Sequence, residues 1–131
     1  MNIVALIGTI VEQPTLKEFD SGVKGTFITL RVAKPFRSMD GSYESDFIRC
    51  VLWEGIAQNT CEYCMKGDTI GIRGRVASRN EEIIFNCDKD EHKKKFVTNQ
   101  IIVERVTFIS TAKKNKQLPQ EDQLDDYVSD F

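Results

Sequence analysis

Hydrophobic and polar residues alternate most strictly in the stretch DFIRCVLW at residues 46–53. This alternation predicts a β-strand with two unlike faces. One face is wholly apolar and suits a protein core: Ile48, Cys50 and Leu52. The other face combines aromatic side chains with a cation, in the order Phe47, Arg49, Val51 and Trp53. Such a face suits a flat, negatively charged partner such as stacked bases on a phosphate backbone. The alternative is that both aromatic residues are half-buried sheet residues.

The same pattern predicts the elements on either side of this strand, which spans residues 43–53. Four further strands are predicted, at residues 2–12, 25–34, 68–79 and 99–110. Residues 54–66 carry apolar positions at helical spacing, and Gly67 follows where a left-handed helix cap is favoured. Two short segments, 82–87 and 94–98, are predicted to form a hairpin around a charged tip at residues 88–93.

The order of these elements predicts the fold. Three strands, one helix, a strand with an extended hairpin and a final strand form an all-β domain. We expect an OB-fold, a five-stranded partly open barrel with one helix between strands three and four. An SH3-like barrel lacks that helix and ranks second. The barrel is assigned to residues 1–111, and residues 112–131, which lose hydrophobic periodicity, to a disordered acidic tail.

Length and charge refine this picture. A chain of 131 residues is long enough for one domain with a real core. The 18 Lys and Arg all lie at or before Lys116, whereas residues 118–131 carry five acidic residues and no basic one. A mildly basic domain with an acidic appendage is therefore predicted. No apolar run approaches the ~20 residues of a membrane span, and the start does not resemble a secretory signal, so we expect a cytoplasmic protein.

The cysteines and the single histidine are the candidates for metal or enzyme chemistry. Cys61 and Cys64, with Cys87 and His92, are ligand types that zinc accepts. Both Cys61 and Cys64 fit the apolar face of the predicted helix, however, so we expect no metal and no cofactor. The chain has no Gly-rich phosphate loop, nucleophile elbow or His-x-x-x-His spacing, which favours binding over catalysis.

Several short motifs together carry a family resemblance. They are VALIGTI at residues 4–10 followed by Pro14, FITLRV at 27–32, DFIRCVLW at 46–53, KGD at 66–68 and GRV at 74–76. In this order and spacing the chain resembles the bacterial and phage single-stranded DNA-binding protein (SSB) family, from residue 2 to about residue 109. The resemblance implies binding and protection of single-stranded DNA in replication, recombination and repair, by a nucleoid-associated homotetramer.

The resemblance also implies which residues contact DNA. The family's stacking positions fall on Phe36, Phe47 and Trp53, and a fourth position that is usually aromatic falls on Glu81. That departure leaves two alternatives for the hairpin: Phe85 or Phe96 replaces the missing aromatic residue, or the site is weaker there. The basic candidates for phosphate contacts are Arg31, Lys34, Arg37, Arg49, Arg73, Arg75 and Arg79.

The acidic end of the chain resembles the tip with which this family recruits partner proteins. The family tip closes on Pro-Phe, and here Asp130 stands where the proline is usual. The expected partner-binding residues are Asp125, Asp126, Tyr127, Val128, Ser129, Asp130 and Phe131. Two alternatives remain: an OB-fold accessory factor of a primosome or recombination complex that acts mainly through protein contacts, and a barrel that accepts RNA as well as DNA.

Overall fold

The protein is a closed barrel of five strands with one helix, as described by a computed structural model for residues 1–87 and 90–110. Its elements are β1 (Val4–Ile10), β2 (Lys17–Glu18), β3 (Lys24–Arg37), β4 (Tyr43–Trp53), α1 (Glu54–Tyr63), β5 (Thr69–Cys87) and β6 (Asp90–Ser110). The ring runs β1-β5-β6-β4-β3 and returns to β1. The all-β OB-fold prediction, with the helix after the third long strand, is confirmed. The two-residue β2, which pairs with β3, was not predicted.

Two short seams close the barrel, so it is closed rather than partly open as predicted. At one seam β1 pairs with β3 through Thr9 and Ile10. At the other, β4 runs parallel to β6, with Cys50 opposite Ile101 and Val51 opposite Ile102. All other strand pairs in the barrel are antiparallel. Closure removes the free sheet edges that an open sheet of these strands would expose to other chains.

The predicted hairpin is a continuation of two barrel strands. The segment predicted as a strand at residues 68–79 and the hairpin arm at 82–87 are one strand, β5, because the intervening Asn80 and Glu81 stay paired with β6. The second arm likewise merges with the last strand into β6, which already begins at Asp90. Residues 90–93 of the predicted charged tip therefore belong to a strand. Residues 88 and 89 lie outside the described part of the chain. The result is a two-stranded ribbon that extends from the barrel.

The core lies inside the ring, and α1 packs against β3, β4 and β6. The buried members of the core are Ile10, Ile28, Leu30, Cys50, Leu52, Ala57, Cys64, Ile70, Ile72 and Val103. The inward face predicted for β4 is confirmed, since Cys50 and Leu52 are fully buried and Ile48 packs against them. Among the described residues, no helix has the length and apolar character needed to span a membrane.

The helix ends at Tyr63, three residues before the predicted end at residue 66. The Asp68 carboxylate accepts a hydrogen bond from the Met65 N–H at 2.8 Å, and the Gly67 N–H donates to the Ile10 carbonyl at 2.9 Å. These bonds draw the chain away from the helix axis towards β1. Gly67 has the predicted positive φ of 94°, but it serves this turn rather than the helix cap.

Pro35 does not end the second long strand, which the pattern placed at residues 25–34. β3 continues to Arg37, and the pairing with β4 is interrupted between Ala33 and Arg37. Proline has no N–H to donate to the ladder, so it is tolerated where the register is irregular. The strand therefore extends beyond the barrel, carrying Phe36 with it.

Glu54, the first residue of α1, has a φ of 51°, the one non-glycine residue with positive φ in the described part of the chain. A side chain in the left-handed region costs roughly 1–2 kcal/mol. We therefore expect Glu54→Gly to raise the free energy of unfolding by about 1 kcal/mol, measured by urea denaturation. The matched control is Gln58→Gly on the exposed middle of the same helix, which is expected to lower it by about 1 kcal/mol. Equal destabilisation by both glycines would contradict the strain at Glu54.

Candidate nucleic-acid interface

The outward side chains of β3 and β4 form one continuous surface. In the antiparallel register, Gly25 lies opposite Trp53, Phe27 opposite Val51, Thr29 opposite Arg49, and Arg31 opposite Phe47. Directly opposed residues of an antiparallel pair point to the same side of the sheet. We call these eight residues the β3–β4 face. It brings together four of the residues predicted from the sequence: Arg31, Phe47, Arg49 and Trp53.

The two predicted aromatic residues differ in how they are held. The Phe47 side chain is 65% exposed, whereas Trp53 is 37% exposed. The indole of Trp53 lies across Gly25, where an added Cβ would come within 2.7 Å of the ring. The Phe19 ring packs against it at a centroid distance of 5.7 Å and an interplanar angle of 50°. Trp53 is thus a fixed, partly open platform and Phe47 an open one.

Arg49 lies between these aromatic residues and is held by a third one. Its guanidinium carbon is 4.2 Å from the centroid of the Phe27 ring, a cation–π contact. Val51, on the same side, is almost fully buried. This part of the predicted face is therefore covered by neighbouring side chains and offers no exposed surface for stacking. Phe27 and Gly25 were missed as site residues in the sequence. The signal that identifies them is their pairing with β4.

Two of the predicted cations are paired with carboxylates. The Lys34 Nζ is 3.4 Å from the Glu44 carboxylate and 3.7 Å from that of Asp46. The Arg79 Nε is 3.9 Å from the Glu81 carboxylate. These pairs are exposed, and such pairs contribute only roughly 0–1 kcal/mol, so a phosphate group can displace the carboxylate.

The base of the ribbon extends the β3–β4 face on the side of β6. A recess of about 230 Å³ joins Phe27, Arg49 and Val51 to residues of β5 and β6, namely Arg79, Glu81, Thr98, Asn99 and Gln100. Arg75 lies opposite Ile102, which in turn lies opposite Val51. The structure therefore places Arg79 and Arg75 next to the predicted face, although about thirty residues separate them from Arg49 in the sequence.

The remaining predicted residues lie further away. Phe36 is 68% exposed near the end of β3. Phe85 lies towards the end of the ribbon, with its ring stacked on His92 at 5.4 Å. Arg73 lines a separate recess with Ile3, Gly74, Glu104 and Arg105 on the far side of β5. The tail residues predicted to bind partner proteins lie outside the described part of the chain.

The loop between β3 and β4 is tied together at its centre by Asp40. Its carboxylate accepts hydrogen bonds from the hydroxyl of Ser38 and from the hydroxyl and backbone N–H of Ser42. These bonds lower the pKa of Asp40 to about 2, so the carboxylate is ionised at neutral pH. Beside this loop, the Arg37 guanidinium lies 4.7 Å from the centroid of the Tyr43 ring. Arg37 and Tyr43 form a second aromatic–cation pair next to Phe36.

Cys50, Cys61 and Cys64 lie in or near the core. Burial raises the pKa of the Cys50 thiol to about 11, which keeps it protonated at neutral pH. Cys64 is fully buried directly after α1, and Cys61 is half-buried on the helix. In residues 1–87 and 90–110, no three His, Cys, Asp or Glu side chains are grouped so that they could hold a metal ion.

Comparison with known proteins agrees with this geometry. Residues 1–109 match the model of the single-strand binding protein family. The chain is 36% identical over 111 residues to single-stranded DNA-binding protein 3 of Listeria innocua, an alignment that covers 85% of this chain and 65% of that protein. It is 30% identical over 115 residues to single-stranded DNA-binding protein B of Bacillus subtilis, covering 88% of this chain and 96% of that one. The chain thus spans just under two thirds of the Listeria relative. It belongs to the single-strand binding protein family.

Proposed function

We propose that this protein binds single-stranded DNA with little sequence preference and protects it during replication, recombination and repair. The observation that carries the proposal is the β3–β4 face, where exposed Phe47 and partly open Trp53 lie beside Arg31 and Arg49. The related Listeria and Bacillus proteins, both named single-stranded DNA-binding proteins, support the same ligand. The proposed role is binding rather than catalysis, in the cytoplasm and at the nucleoid.

The mechanism follows from the two kinds of side chain on the face. Bases stack on Phe47 and Trp53, and stacking tolerates any base because every base has a π-face. Arg31, opposite Phe47, and Arg49, held over Phe27, neutralise the neighbouring phosphates. Because much of the charge contribution comes from displaced counterions, affinity falls as salt rises. Phe36 and Arg37 extend the path beyond the barrel.

We further propose that the protein is a homotetramer that associates through the outer surface of β1, β5 and β6. Ile7 is 65% exposed there, and Ile3 and Ile109 are also exposed. A recess of about 460 Å³ lies on this surface, lined by residues that include Ile7, Gly71 and Ile109. Clustered exposed apolar residues are typical of protein interfaces. Several barrels in one assembly let a single DNA strand occupy several sites, which raises avidity.

The acidic tail is proposed to recruit replication, recombination and repair proteins. Its acidic residues and Phe131 offer a partner both anionic groups and an apolar side chain, which a basic-rimmed pocket can hold.

The second candidate function is an accessory OB-fold protein that acts mainly through protein contacts and binds DNA weakly. One observation favours it: Lys34 and Arg79 are each paired with carboxylates on the DNA side of the barrel. The two candidates differ in their expected affinity for DNA, because an accessory factor does not require an aromatic platform for bases.

The double variant Phe47→Ala/Trp53→Ala is expected to lose at least about 30-fold in affinity for oligo-dT, because each lost stacking contact costs ~1–3 kcal/mol. Fluorescence anisotropy of labelled oligo-dT at low and high salt measures this change without using Trp53 as the probe. The control is Ile84→Ala, an exposed apolar residue that alternation places on the opposite side of the ribbon from Arg79. Equal affinity of wild type and the double variant would refute stacking on this face, and weak binding by wild type would favour the accessory role.

Ile7→Asp is expected to split the tetramer, because it replaces the most exposed apolar side chain of this surface with a carboxylate that loses its water in the interface. Light scattering coupled to size exclusion gives the mass of the assembly. Val97→Asp, at an equally exposed apolar position on the ribbon, is the matched control and is expected to leave the mass unchanged. A wild-type mass of one chain would contradict the tetramer, and an unchanged mass for Ile7→Asp would contradict this interface.

Deletion of residues 129–131 is expected to abolish capture of replication, recombination and repair proteins while leaving affinity for oligo-dT unchanged or higher. Affinity rises if the anionic tail competes with phosphate for the basic groove. Affinity capture with mass spectrometry and oligo-dT titration measure the two effects. Gln120→Ala, upstream in the same segment, is the control. An unchanged set of captured proteins would count against recruitment by this tip.

A further inference from the structure

Glu81 places a negative charge on the side of the barrel that faces the proposed DNA path. Its carboxylate lines the recess that also contains Phe27, Arg49 and Arg79. It also lines a second recess, of about 460 Å³, together with Phe96. Since a carboxylate repels phosphate, Glu81 does not help to hold the DNA backbone. Its position requires another explanation, either as a simple ion-pair partner of Arg79 or as a contact for a different part of the nucleotide.

The register of the ribbon places four complementary side chains on one side. Glu81 lies opposite Phe96, and Arg79 lies opposite Thr98, with one residue between the two positions on each strand. Directly opposed residues and those two apart share a face. An aromatic ring, a carboxylate, a guanidinium and a hydroxyl are therefore neighbours. The aromatic ring offers a stacking surface, and the three polar side chains offer hydrogen bonds at its margin.

The ion pair between Arg79 and Glu81 does not saturate either group. The closest distance is 3.9 Å, from the Arg79 Nε to a Glu81 oxygen, which is longer than a hydrogen bond. The two side chains retain 55% and 40% of their exposure. Both groups can therefore bind a ligand at the same time, the carboxylate as an acceptor and the guanidinium as a donor.

Among the DNA bases, guanine fits this pair of groups best. Its Watson–Crick edge presents two adjacent donors, N1–H and the N2 amine, beside the O6 acceptor, and N7 adds a second acceptor next to O6. A carboxylate accepts the two donors, and an arginine recognises O6 and N7. In single-stranded nucleic acid these edges are free to be read, because the bases are unpaired and can stack on aromatic side chains. Thymine has a single donor at N3–H and no amine.

We propose that Phe96, Glu81, Arg79 and Thr98 form a base-selective subsite at the base of the ribbon, which prefers guanine over the other bases. The base stacks on Phe96, Glu81 accepts from N1–H and the N2 amine, and Arg79 donates to O6. This inference rests on the proposed function, since the subsite lies beside the single-stranded DNA path. It adds a modest preference at one position to a surface that otherwise tolerates any base.

The test uses oligo-dT strands of one length that carry a single central dG, dA, dC or deoxyinosine, measured by competition against labelled oligo-dT. Wild type is expected to bind the dG strand about five-fold or more tightly than the others. This ratio lies at the low end of the discrimination that a bidentate contact between a side chain and a base provides. Deoxyinosine, which lacks the N2 amine, is expected to lose most of that preference. In Glu81→Gln the dG preference is expected to vanish, while affinity for plain oligo-dT stays equal or rises.

Glu44→Gln is the matched control. It removes the same charge from a carboxylate that is paired with Lys34 on the DNA side, 3.4 Å away, but outside the subsite. It is expected to keep the dG preference, so a general effect of charge is separated from base recognition. Equal wild-type affinity for all strands, or a dG preference that persists in Glu81→Gln, would overturn the subsite. Failure of wild type to bind oligo-dT at all would instead overturn the proposed function.

Discussion

The constraint on which the rest of the structure depends is that the core and the β3–β4 face lie on opposite sides of the same strands. Cys50 and Leu52 are fully buried on the inner side of β4, and this fixes Phe47, Arg49 and Trp53 on the outer side. A shift of register by one residue exchanges the two faces, which would bury a guanidinium and expose the core. The two short seams that close the ring fix β3 and β4 relative to the other strands. The geometry of the β3–β4 face therefore depends on closure of the barrel.

Four of the basic residues already contact another side chain of the protein. Arg49 and Arg37 each rest on an aromatic ring, at 4.2 and 4.7 Å, which orients the guanidinium while leaving its N–H groups open to solvent. Lys34 and Arg79 are shared with carboxylates. A phosphate that reaches them has to replace an existing partner, so these two contacts add less affinity than free cations do.

The barrel presents two chemically different outer surfaces, and Arg73 illustrates how they are separated. Aromatic and basic residues occupy the side of β3 and β4, while exposed isoleucines occupy the side of β1, β5 and β6. Arg73 lies on the second surface, opposite Arg105. β5 and β6 contribute to both surfaces: Arg79 lies beside the β3–β4 face, whereas Arg73 lies among the isoleucines nearer the start of β5.

The sequence by itself determined the fold class, the two faces of β4 and four residues of the β3–β4 face. These features follow from local rules, since side chains alternate with a period of two and a helix requires its own spacing. The tertiary structure alone decided that Gly25 supports Trp53, that Arg49 lies over Phe27, and that Glu81 stands opposite Phe96 beside Arg79. It also placed Arg73 away from the face and joined the hairpin to the barrel strands. Each of these depends on the register between strands that are distant along the chain, and side-chain alternation within one strand carries no record of which residue of another strand lies opposite.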